Sequence, residues 1–148
     1  MKRIVQLLLV AIIMLPMSAK SQSATDTVPY CCNFESAVER VYWRFANSNE
    51  NKWAMGIANS NGGLYGLYIS NDGGISNYYQ ANTTYSYAYR KIYIPAGVYE
   101  VSYDWIANGY YSTSYSYMRA FLIPATVTFS GGTLYNGLSA TTLPSGAI

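Results

Sequence analysis

Seven carboxylates, two adjacent thiols and seventeen tyrosines are the side chains of this chain able to do chemistry, and histidine is missing altogether. Without histidine the usual general base is gone. So are the Ser-His-Asp and Cys-His arrangements and the imidazole ligands of most zinc sites. The sequence has no phosphate-binding glycine loop, no dinucleotide-binding glycine fingerprint and no zinc-ligand spacing. A glycosidase would need two carboxylates facing each other across a cleft. Asp26, Glu35, Glu39, Glu50, Asp72, Glu100 and Asp104 are scattered singly, and no spacing sets two of them face to face. The expectation is a protein that is not an enzyme.

The tyrosines are more promising as binding groups. In "TTYSYAYRKIYIP" (83–95), Tyr85, Tyr87 and Tyr89 alternate with Ser86, Ala88 and Arg90, so a strand here would carry an aromatic face. Such a face has two uses. It can form a wall of a hydrophobic core, or it can stack on sugar rings, where tyrosine offers a flat apolar surface and a hydroxyl. Tyr110 and Tyr111 are further stacking candidates. Ile92 and Ile94 are out of phase with Tyr89, and a one-residue bulge at Arg90-Lys91 would return them to the same face. The core reading is favoured.

Cys31 and Cys32 are neighbours in sequence, a spacing that ordinary disulfide geometry does not accommodate easily. They read as two small thiols or as an intermolecular bridge in an oxidising compartment. "SNDGG" (70–74) has the residues of a tight turn and lacks the repeated acids and terminal Glu of a calcium loop. Asn82-Thr83-Thr84 fits the N-glycosylation triplet.

These residues must be positioned by a single domain, since 148 residues leave room for one. Its first stretch is a targeting segment. Lys2 and Arg3 precede an apolar run from Ile4 to Leu15, then Pro16 and a small-residue site ending at Ser21. Residues 1–21 therefore read as a secretory signal peptide, with a run too short to span a bilayer. The expectation is a secreted or cell-surface protein whose mature chain does not insert into a membrane. Removing Lys2, Arg3 and Lys20 leaves six basic residues against seven acidic ones, so the formal +2 becomes −1. A near-neutral surface has no electrostatic footprint for nucleic acid.

After a linker (22–29), period-two patterns mark strands at 30–36, 42–46, 52–58, 63–70, 85–94, 98–107 and 115–124. Asn/Gly/Ser clusters separate them, and "SAVERV" (36–41) is at most a single helical turn. Alternation assigns inward rows to Trp43 and Phe45, to Trp53, Met55 and Ile57, and to Tyr99, Val101, Tyr103 and Trp105. On that assignment, truncating Tyr103 or Trp105 to alanine costs about 3–5 kcal/mol. The architecture expected is an all-β antiparallel sandwich over residues 30–148.

"NFES" (33–36), "NKWAMGIA" (51–58), "LYISNDGG" (67–74), "YAYRKIYIPAGVYEVSYDW" (87–105) and "YSYMRAFLIPA" (115–125) follow one another in order and spacing. Together they resemble the cleaved-adhesin and MAM-like jelly-roll modules of secreted and surface proteins of anaerobic Gram-negative bacteria. The resemblance implies a jelly-roll β-sandwich without a catalytic centre, acting in adhesion to host proteins or glycans. A carbohydrate-binding accessory module of a secreted hydrolase is the alternative. It also implies structural calcium, with Glu35 of the "FE" motif as the ligand carried over. Two features depart from the family. After "SYDW" the segment "IANGYYSTSYSYMR" has tyrosine or serine where acids are usual, and the family's closing strands toward an Asp-Asn motif are not found. A jelly roll closes with about eight strands or more. The expectation is thus a truncated sandwich with an open edge through which chains self-associate.

Overall fold

The computed structural model describes residues 26–80, 82–107 and 118–135. It is all-β in character, with one helical turn. The elements are β1 (Asp26–Thr27), α1 (Ala37–Arg40), β2 (Arg44–Ala46), β3 (Lys52–Gly56), β4 (Gly66–Ser70), β5 (Tyr87–Tyr89) and β6 (Ile92–Tyr93). They form three two-stranded pairs: β3 with β4 and β2 with β5, both antiparallel, and β1 with β6, parallel. A sandwich of two packed sheets is not seen among the described residues.

Local chemistry explains the elements. Ser36 caps α1, its hydroxyl accepting from the Glu39 N–H at 3.3 Å, which is why "SAVERV" makes one turn. In the β3–β4 hairpin Trp53 faces Ile69 and Met55 faces Leu67, while Ala54 faces Tyr68. Tyr68 is only 5% exposed. Its ring lies against Gly56, where a Cβ would sit 2.5 Å from the phenol oxygen, and its hydroxyl donates to the Gly74 carbonyl at 2.6 Å. The buried face of β4 is therefore Gly66, Tyr68 and Ser70, not its aliphatic face.

The turn after β4 is closed by one carboxylate. Asp72 accepts from the hydroxyls of Ser70 and Ser76, each at 2.6 Å, and from the Ile75 and Ser76 N–H groups. These contacts, led by the Ser70 hydroxyl and then that of Ser76, hold the Asp72 carboxyl well below the usual carboxylate range. Gly73 and Gly74 supply the positive φ this turn requires. Two asparagines tie loops to strands. Asn47 exchanges two hydrogen bonds with the Trp53 backbone, and Asn51, at φ 50, does the same with Gln80.

Several expectations change. The 85–94 strand is not bulged but broken, with β5 ending at Tyr89 and β6 starting at Ile92 on a different partner. β1 falls in the stretch read as linker. Residues 98–107 join no ladder, and Tyr99, Val101, Tyr103 and Trp105 are 44%, 60%, 54% and 64% exposed. They are not a core row, and Ile57 is exposed as well. Likewise 30–36 and 118–123 carry no strand. Period-two alternation reports only that one side of a segment is apolar; the pairing comes from elsewhere.

Candidate functional site

The "FE" motif acts as a clasp. Phe34 adopts φ 64, an uncommon conformation for a bulky residue. Arg40 holds it there, donating from Nη1 to the Phe34 carbonyl at 2.6 Å and to the Glu35 carbonyl at 2.8 Å. The same guanidinium lies 3.6 Å above the Tyr65 ring. On the other side, Glu35 Oε1 accepts from the Leu64 and Tyr65 N–H groups at 2.8 and 2.9 Å. The carboxylate that the family resemblance makes a calcium ligand thus faces N–H donors. A hard cation needs oxygen ligands, and no group of three His, Cys, Asp or Glu converges among the described residues. This donor set does not fit calcium.

A second cluster surrounds Arg90, whose side chain is 2% exposed. Its guanidinium pairs with Glu39, donates to the Glu39 carbonyl at 3.1 Å, and sits over Tyr30 and Tyr42 at 4.6 and 5.2 Å from their ring centres. Tyr30 donates its hydroxyl to the same Glu39 carboxylate. Burial, followed by the hydrogen bonds to Glu39 and Cys32, pushes the Tyr30 phenol far above its ordinary range. Burial also lowers the Arg90 pKa. Cys31 is exposed and Cys32 half-buried, and both are free thiols.

The tyrosine stripe packs inward. Tyr87 stacks on Phe129 at 4.6 Å between ring centres, and Tyr89 tilts against the same ring at 5.2 Å. The Tyr87 hydroxyl donates to the Thr133 carbonyl and accepts from the Tyr135 N–H. Tyr85 contributes its carbonyl to the Gly132 N–H at 2.8 Å. All three tyrosines are half-buried, so Phe129 and Tyr135 occupy the surface that a sugar would need. Tyr110 and Tyr111 lie outside the described residues. Beside the stripe, Thr128, Ser130, Thr133, Leu134 and Tyr135 line an open hollow of about 330 Å³.

No family model, curated protein or solved structure matches the chain. Its function must be read from its own surface.

One feature of that surface, among the described residues, is the run from Val98 to Ile106. It contains no turn or bend, and every residue in it is exposed. Tyr99, Val101, Tyr103 and Trp105 alternate with Glu100, Ser102 and Asp104. The sequence pattern places these four residues inside, whereas all of them are exposed. Arg40 and Arg90 were missed as organising residues. A cation at the break in an aromatic stripe was the available signal for Arg90.

Proposed function

We propose that this chain is a non-catalytic recognition module of a secreted or cell-surface protein, binding a host protein or glycan in the manner of an adhesin. Its family would be the cleaved-adhesin and MAM-like jelly rolls, which the ordered stretches from "NFES" to "YSYMRAFLIPA" resemble. The observation that carries this reading is the exposed aromatic row at 99–105, flanked by exposed Val98 and Ile106. Contiguous apolar surface rimmed by polar groups marks interaction sites, and aromatic residues dominate the energetics of such sites. The all-β character and the lack of histidine agree with a binding role.

The test is to screen the purified chain against immobilised matrix proteins, cell surfaces and a glycan array, alongside Tyr103→Ala and Trp105→Ala. The expected outcome is saturable binding that each variant weakens by about tenfold or more, with an unchanged melting temperature. Binding unaffected by both variants would remove the row from the site.

The hollow beside Tyr135 favours a second reading, a carbohydrate-binding accessory module. Three hydroxyl-bearing residues and one aromatic ring are the components a neutral sugar needs. Under that reading glycan binding is lost in Thr133→Val and Tyr135→Ala but kept in Trp105→Ala.

A further inference from the structure

We propose that residues 98–107 are a docking edge for an extended, cationic polypeptide strand, which adds to this chain by main-chain hydrogen bonding. The inference rests on the recognition reading above and names the class of partner.

The segment has the requirements of a strand that receives another. It runs without turn or bend, and no backbone hydrogen bond joins it to another described residue. Unpaired N–H and C=O rows are a template for strand addition, in which the main chain supplies affinity and alternate side chains supply specificity.

The side chains specify the occupant. In an extended segment the alternation puts Tyr99, Val101, Tyr103 and Trp105 on one face, which calls for β-branched or aromatic residues opposite. On the other face Glu100 and Asp104 lie four residues apart, about 13 Å along a strand. Asp104 Oδ2 already accepts from Asn61 Nδ2 at 2.9 Å, which fixes the carboxylate and leaves Oδ1 for a partner. A second copy of this segment is a poor occupant. Antiparallel pairing centred on Ser102 sets Glu100 against Asp104, and parallel pairing in register sets Glu100 against Glu100. Like charges directly opposite are destabilising. A strand with Lys or Arg at two positions four apart, and apolar residues between them on the opposite face, meets both carboxylates.

The experiment uses the full chain and a fluorescent peptide, Val-Lys-Val-Thr-Val-Lys-Val, followed by anisotropy. Saturable binding is expected, weakened by salt. The Glu-for-Lys peptide and a peptide N-methylated along one edge should each bind at least about tenfold more weakly. Glu100→Gln with Asp104→Asn should abolish the salt dependence, and Ser102→Pro, which deletes a donor outside every ladder, should abolish binding without changing the melting temperature. Equal binding of the acidic or N-methylated peptide would overturn the inference. So would no binding of the Lys peptide, or cross-linking of 98–107 to a second copy instead. Were the chain to bind proteins or glycans in the broader screen but not this peptide, the strand inference alone would fail. Silence in both would end both readings.

Discussion

A guanidinium held between two phenol rings resists exchange for an ammonium, because a flat, weakly hydrated group is what stacks there. Arg90 is such a group, buried between Tyr30 and Tyr42 and paired with Glu39. Arg90→Ala strands the Glu39 carboxylate beside apolar rings. The expected cost is about 3 kcal/mol, the low end for breaking a buried pair because Glu39 keeps some contact with water. Urea denaturation measures it. The same cluster sets an alkaline limit. The raised Tyr30 pKa means that the folded state favours the neutral phenol. Its contribution is whole below an unfolded value of about 10 and is lost as pH rises above it. Urea midpoints taken from about pH 8 to about pH 11 should fall in the wild type and fall less in Tyr30→Phe. In sequence Arg90 stood out only as a cation at the break in an aromatic stripe, in an outward position of an alternating strand. Only the folded chain brings Glu39 and Tyr30 to it.

At the scale of elements, the sequence was informative where pairing is local. The "KWAMGIA" and "GLYGLYIS" runs become β3 and β4 because a short Asn/Gly loop returns one onto the other, and Asn47 and Asn51 pin the ends. It misled at 98–107, where equally strong alternation found no partner among the described residues. It was half right at 85–94, where the phase break between Tyr89 and Ile92 was real but marked a change of partner strand, not a bulge. The tyrosine wall depends on a second close approach. At Gly131 a Cβ would stand 1.7 Å from the Asn47 carbonyl oxygen. Gly131→Ala should push 130–132 away from 47–48 and break the Gly132–Tyr85 hydrogen bond. About 2 kcal/mol of stability and much of the Tyr87–Phe129 near-ultraviolet dichroism should go with it.

For the molecule as a whole, Tyr68 is the only buried large hydrophobic side chain among the described residues, so cohesion rests on polar ties as much as on an apolar core. Trp105→Ala should then change the unfolding free energy, read from urea denaturation, by no more than about 0.5 kcal/mol, the range for exposed positions, although a core row would have cost several times that. The three strand pairs share no strand, and this has a kinetic meaning. β3 and β4 are joined by a single short loop, whereas β2 reaches across the hairpin to β5, and β1 closes on β6 over the longest stretch of chain. Loop-closure entropy rises with that span, so the hairpin can form alone, β2–β5 follows, and β1–β6 comes last. Amide hydrogen exchange should follow the reverse order of opening. The Asp26–Thr27 pairing should exchange first, then the Arg44–Ala46 amides, and the Ala54 and Tyr68 amides most slowly. Uniform exchange across the three pairs would mean that they open as one cooperative unit.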